Sequence, residues 1–297
     1  MKTKYAPYLF ILPFFVLYAV FNVIPLFSTL FISFTKWNGS APIEWVGFRN
    51  YVRLFTGDTL FWKSIWNTVV IIVIAIPFQV GLGLIMAVLL KGFFSGRVLK
   101  VYQFLNFSPF ITTGVAVALL FAILFDTRIG TVNTILAALG LISSKIPWLT
   151  TPVPAVAVLV IMLVWKYFGY LMVMIMAGLS TIPETEYEAA RIDGASWLQS
   201  FRYITLPGLK GTLAFILTTS AISGMQLFGE PSLLFSKVDA PLGGPKRVAL
   251  TSMMYVYDTA FSRFDLGYGS AMSYGVFVII FALSFFAVRR NVGGRAE

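Results

Sequence analysis

The chain has 297 residues, 58% of them hydrophobic and only 11% charged, against about 25% charged in soluble domains. A chain this apolar cannot bury its side chains in one water-facing core, so lipid has to be part of its solvent. Cysteine and histidine are absent, which excludes disulfides, Cys/His zinc sites, thiol nucleophiles and imidazole chemistry; the formal charge of +10 sits at the ends of apolar runs, as at Arg289 and Arg290, and reads as headgroup anchoring rather than nucleic-acid binding.

Six runs are long and apolar enough to cross a bilayer, at 8–34, 67–90, 102–125, 154–179, 212–235 and 270–288. The first follows Lys2 and Lys4, but it is too long for a secretory signal and no small-residue cleavage site follows, so it reads as a retained helix. Six spans place both termini on one side. With the termini in the cytoplasm, eleven Lys and Arg lie inside, from Lys2 to Arg295, and ten outside, from Lys36 through Lys237 to Arg263. The inside segments are shorter and denser in positive charge, which favours cytoplasmic termini.

The outside loops are long, about 30 residues after the first span, about 27 after the third and about 34 after the fifth, beyond what a simple connection needs. They hold Trp37, Trp45, Phe48, Tyr51, Trp62 and Trp148. Such loops either lie in the interface as an aromatic belt or dock a partner. No phosphate-binding loop exists: Gly92 to Gly96 is too short and Arg97 follows it, and Gly243-Gly244-Pro245-Lys246 fails as well.

Residues 181–207 follow the fourth span. Thr181 and Glu184 have capping-box spacing, and Pro183 suits a first helical turn. Glu184, Glu186 and Glu188 favour the positive end of this helix, Ala189 and Ala190 extend it with little bulk, and Gly194 ends it with a positive φ. A second short helix is expected at 197–203, and Pro207 is expected to break the chain before the fifth span. The product is a small acidic helix with an alanine face, suited to a partner's groove.

Charged groups in mid-span are costly, so Lys166 in the fourth span and Glu230 in the fifth are functional candidates. Lys166 lies too far from either end for easy snorkelling, which leaves a pathway role or a buried pairing. Gln226 and Glu230 are spaced i,i+4 and are expected to share a helix face. Glu230 either pairs with Lys166 or holds the hydroxyls of a ligand. Tyr167, Tyr170 and Gln226 would supply aromatic platforms and polar contacts, with Ser223 and Gly224 on the same pathway. The competing reading is hydrogen bonding between helices with no ligand. Gln79 after Pro77, and Asn106, Ser108 and Pro109, mark kinks that serve either rocking or plain packing.

The 181–207 loop is similar to the signature of ABC importer permeases. Glu188-Ala189-Ala190, then Gly194, then Ile204-Thr205-Leu206-Pro207 match it without departure. Seven fixed positions match by chance on the order of 10⁻⁸ per window. Ile24-Pro25 through Ser33-Phe34 and Trp37, Asn50-Tyr51, Asn67-Thr68, Gly130 with Asn133, Trp148-Leu149, Gly243-Gly244-Pro245 and Gly267-Tyr268 extend the likeness along the chain. The whole resembles the permeases of binding-protein-dependent carbohydrate importers of the maltose, lactose and glycerol-3-phosphate type, and the first permease of such operons in particular.

That resemblance implies an all-α integral membrane protein with six transmembrane helices of the ABC type I importer kind. It implies one transmembrane domain over 1–297 with the cytoplasmic coupling loop 181–207 inside it. The implied partners are an ABC ATPase dimer, a second permease in a heterodimer, an extracytoplasmic sugar-binding protein, the sugar and membrane lipid. No cofactor, metal or catalytic residue is implied. Glu188 would make a polar contact in the ATPase groove, Ala189 and Ala190 would pack there, and Gly194 would turn the chain, with Ile204, Leu206 and Pro207 completing the coupling segment. Two other classes compete. An ion-coupled secondary transporter predicts inverted repeats with broken helices and activity without an ATPase. An intramembrane enzyme would have to rest on Lys166 and Glu230 alone.

Overall fold

The computed structural model describes residues 6–236 and 241–293, so Lys2, Lys4, Lys237 and Arg295, counted above in the charge balance, lie outside the described residues. The described chain is helical apart from a two-stranded antiparallel ribbon, β1 (Thr35–Lys36) with β2 (Glu44–Trp45), in which Thr35 faces Trp45. Its contacts form two compact units, one within Met1–Trp62 and Tyr255–Ile279, the other within Lys63–Met254 and Ile280–Glu297.

In the first unit, α1 (6–33) runs through a π turn at Ala19–Val23 and exposes apolar side chains along nearly its whole length. A helix with that surface needs lipid or another membrane helix around it. Beyond it, the ring of Phe34 gathers Trp45, Phe48 and Tyr51 at centroid distances of 5.7, 5.2 and 5.3 Å. Buried Asn50 opens the short α2 (Arg49–Val52) and donates from Nδ2 to the carbonyls of Ser33 and Thr35. The Asp58 carboxylate accepts from the Phe61 amide and from the hydroxyls of Tyr255 and Tyr268. Burial, then that bond to Asp58, pushes the Tyr255 phenol up to about 12. Gly267 rests on the Thr35 carbonyl, where no Cβ fits.

The second unit is built around α7 (Pro152–Leu179), whose Ala155, Val158, Leu159, Met162, Met172 and Ile175 are fully buried. It packs against α4 (Gly96–Ile111) at Gly169, where a Cβ would collide with the backbone carbonyl of Asn106. Among the described residues, four helices are long and apolar enough to cross a membrane: Tyr8–Ser33, α3 (Thr59–Phe93), α7, and α12 (Leu266–Gly293) over Leu266–Phe285.

The third and fifth expected spans are broken. The third bends by 90° between α4 and α5 (Gly114–Leu124). Thr112 and Thr113 are extended there, and the Thr113 hydroxyl accepts from Ala116 N, so a capped helix start stands inside a continuous apolar run. The fifth stops after α10 (Lys210–Met225), whose 16 residues span about 24 Å. A separate short helix, α11 (Gly229–Leu234), then begins with Gly229 and Pro231 in its first turn. The half-helices α5 and α11 pack on each other and against α7. Irregular backbone inside a membrane protein survives where neighbouring protein covers it, and this arrangement meets that demand.

The loop between α5 and α7 is organised by Asn133, in α6 (Thr131–Ala138) and 1% exposed. Its Oδ1 accepts from Ile146 N and Trp148 Nε1, and its Nδ2 donates to the Thr127 and Ile146 carbonyls. The Asp126 carboxylate accepts the amides of Arg128 and Ile129, which hold its carboxyl below the usual range. Trp148 meets Phe125 edge-on at 5.5 Å, so this aromatic belongs to the fold rather than to a free belt.

Candidate functional site

Two places in the second unit gather the candidate residues. One is the connection between α7 and α10. Its first helix, α8 (Glu184–Ile192), carries Glu184 and Glu186 in the first turn and Arg191 in the last, each complementing the helix dipole. The capping box expected at Thr181 and Glu184 does not form. Pro183 occupies the N-cap without a side-chain bond, and the Thr181 hydroxyl donates backwards to Gly178 O, closing α7. The box stands one helix later, where Ser196 and Gln199 cap α9 (Trp197–Ser200) reciprocally.

Gly194 has φ +76°. Its amide donates to Arg191 O and the Ala195 amide donates to Ala190 O, the paired bonds of a Schellman ending. The helix expected at 197–203 is a four-residue α-turn that passes into a π turn, Phe201–Thr205. Pro207 does not break the chain. It sits in the first turn of the helical segment Leu206–Gly208, where its missing N–H costs nothing, and the path continues into α10. The Tyr187 hydroxyl and Thr205 Oγ1, 3.0 Å apart, tie α8 to that π turn, and Lys91 Nζ donates to Leu179 O at the end of α7. An open cavity of about 740 Å³ lies under the loop, lined by Lys91, Glu184, Tyr187, Arg191 and Trp197 among others.

Glu188 and Ala189 are exposed and Ala190 is half-buried. The larger apolar groups on this surface are Ile192, 87% exposed, and Trp197, Leu198 and Tyr203, all exposed. Sequence reasoning assigned the apolar face to the alanines and passed over these four. A run of bulky side chains next to Gly194 in an otherwise polar loop was the available signal. Ile204 and Leu206 are half-buried and Pro207 is exposed.

The second place is a cavity of about 250 Å³ between α3, α7 and α10. Tyr167, Tyr170, Ser223 and Gly224 line it, as expected together, joined by Gln79 and Phe110. Phe110 stacks on Tyr170 at 4.5 Å and 15°, giving a flat aromatic wall. Gln79 donates from Nε2 to Leu163 O. A Cβ at Gly224 would meet Ile72 Cγ2 at 2.6 Å, so the glycine lets α3 and α10 close up there. No acidic or basic side chain lines this cavity among the described residues.

Lys166, Gln226 and Glu230 lie apart from it. Lys166 Nζ meets Glu230 Oε1 at 2.7 Å, with both residues 8% exposed, so of the two open readings the pairing is the one present. The Tyr167 hydroxyl donates to the same oxygen at 2.7 Å. Gln226 and Glu230 do not share a helix face, because α10 ends at Met225 and Gln226 to Phe228 break the helix between them. Gln226 is exposed at that end.

Residues 79–297 match the family described as binding-protein-dependent transport system inner membrane component. The probable ABC transporter permease protein YesP of Bacillus subtilis is 36% identical over 280 residues, 94% of this chain and 88% of that protein. The lactose transport system permease protein LacF of Rhizobium radiobacter is 33% identical over 94% of this chain and 91% of its own. A chain from the crystal structure of a bacterial alginate ABC transporter, in complex with alginate pentasaccharide-bound periplasmic protein, has the same fold. It superposes with a TM-score of 0.83 over 96% of this chain and 93% of that one, at 22% identity.

Proposed function

The chain belongs to the family of binding-protein-dependent transport system inner membrane components, and on that premise we propose that it is one permease of an ATP-driven sugar importer. It acts as one multi-pass domain with both termini in the cytoplasm, forms half of the translocation pathway beside a second, different permease, and receives sugar from an extracytoplasmic binding protein. ATP is hydrolysed on a separate ATPase dimer, to which this chain couples through residues 181–207. The lactose and alginate systems that it resembles support sugar as the cargo.

The observation that carries the reading is the loop surface itself. The Schellman turn at Gly194 sets α8 at a fixed angle to α9, and Ile192, Trp197 and Leu198 stand exposed beside it. Exposed apolar groups at a helix end, beside exposed Glu188 and Arg191, suit insertion into a partner's groove. The cavity lined by Tyr167, Tyr170, Phe110, Ser223 and Gln79 supplies this chain's part of the pathway. Its aromatic faces fit the C–H faces of sugar rings and its hydroxyl and amide groups fit sugar hydroxyls. A wall without charge favours uncharged sugar units.

Broken helices are a mark of secondary transporters, and two expected spans are broken among the described residues. They do not restore that reading, because a coupling loop with a fixed turn and exposed apolar groups has no task in an ion-driven carrier.

The native absence of cysteine makes the contact directly testable. Ala189→Cys is expected to form a disulfide with a cysteine placed in the groove of the partner ATPase, at a rate that changes when ATP binds. If no position of α8 cross-links while the complex remains assembled, the loop is not the coupling element.

A further inference from the structure

We propose that Glu230 is a positioning residue: it holds the Tyr167 ring in the wall of the transport cavity, while Lys166 cancels its charge. This rests on the reading of that cavity as the sugar pathway.

Lys166 and Tyr167 are consecutive on α7, yet both reach the same carboxylate oxygen on α11, each at 2.7 Å. Only one of the three side chains lines the cavity, and that is Tyr167. Its ring packs edge-on against Phe110, centroids 5.9 Å apart, and Phe110 stacks in turn on Tyr170. The aromatic wall therefore has two anchors, ring packing at Phe110 and a charge-assisted hydrogen bond at the Tyr167 hydroxyl. Lys166 Nζ also lies 5.3 Å from the centre of the Tyr167 ring.

A lone buried carboxylate would be costly, and a lone buried ammonium equally so. The pair offsets much of both costs and leaves no net charge to act on a ligand directly. What remains is geometry. Glu230 stands in the first turn of α11, beyond the break in the fifth span, while Ser223 and Gly224 line the cavity before that break. The Glu230–Tyr167 bond is thus a link from α11 to the cavity wall. A shift of α11 would move the Tyr167 ring, and a ligand against the ring would act back on α11.

The test uses the assembled importer with a Ser220→Cys reporter, half-buried in the cavity lining, and a small maleimide as probe. Glu230→Ala is expected to raise the labelling rate at least about fivefold, because the freed Tyr167 ring no longer narrows the cavity that both residues line. Lys166→Met with Glu230→Gln keeps neutrality and keeps an oxygen for the Tyr167 hydroxyl, so labelling should stay within about twofold of the parent. Lys166→Met with Glu230→Leu is equally neutral but offers no acceptor, and should label as fast as Glu230→Ala. Equal rates for the Gln and Leu pairs, in complexes that assemble, would overturn the proposal and leave only charge balance. Uptake measured on the same vesicles separates the two claims. Labelling that responds in an importer that moves no sugar would retain the positioning role and reject the sugar pathway.

Discussion

Three asparagines do similar work at the level of single residues. Asn50 donates to two carbonyls, Ser33 and Thr35; Asn67 donates to Arg247 and Leu250; Asn133 donates to Thr127 and Ile146. Asn67 and Asn133 each bind a stretch of loop that has no regular ladder of its own, and Asn50 binds the end of α1 and the first residue of β1, so each answers for backbone carbonyls that would otherwise go unpaired. The sequence marks all three positions, as parts of a family likeness, without revealing that shared task. Asn133 is the most enclosed, and its oxygen also serves Ile146 N and Trp148 Nε1. Asn133→Ala should cost about 2 kcal/mol or more, since it orphans several buried partners at once. A thermal melt of the purified complex checks this against Thr134→Ala, which removes an exposed hydroxyl and should leave the midpoint nearly unchanged. The Lys166–Glu230 pairing was half legible. Mid-span charges announce themselves and name each other as possible partners, but at 64 residues apart the sequence does not decide between that pairing and a ligand contact.

Helices show the plainest gap between pattern and structure. Hydropathy sees residues 102–125 and 212–235 as continuous, because the window-averaged apolar content stays high across either break. The bend at Thr112–Thr113 is made by backbone dihedrals and a threonine cap, and the break after Met225 by Gly229 and Pro231 opening a new helix. Both signals are local and polar, and a window that averages hydropathy dilutes them. The 181–207 loop was more legible because its chemistry is local: Gly194 closes α8 through bonds within five residues. Even there the π turn at Phe201–Thr205 escaped, since no residue pattern distinguishes it from an α-turn. Contact between helices gives a sharper expectation. At Gly169 a Cβ would strike the Asn106 backbone carbonyl rather than a yielding side chain. Gly169→Ala should therefore force α4 and α7 apart and cost about 1–3 kcal/mol or more, read as a lowered melting midpoint and weaker assembly. Gly224→Ala, which meets only the Ile72 side chain, should cost less.

At the scale of the whole molecule, composition alone places the chain in a membrane, and an eleven-to-ten division of basic residues says little about which way it faces. The proposed orientation rests on the loop: a segment proposed to meet an ATPase has to lie where ATP is. The same logic links the parts of the second unit. The loop closes at one end of α7 and the cavity opens along its middle at Tyr167 and Tyr170, so one rigid, buried helix connects the surface where the ATPase would push with the wall that sugar would pass.

The most direct test is sugar uptake into proteoliposomes holding this chain, its partner permease and the ATPase, with binding protein outside and ATP inside. It compares the parent with Gly194→Asp, which alters the turn at the exposed end of α8. Uptake should require every component and fall at least about tenfold in the variant while the complex still assembles. Uptake by this chain alone, indifferent to ATP and to the substitution, would contradict the account and favour a secondary carrier.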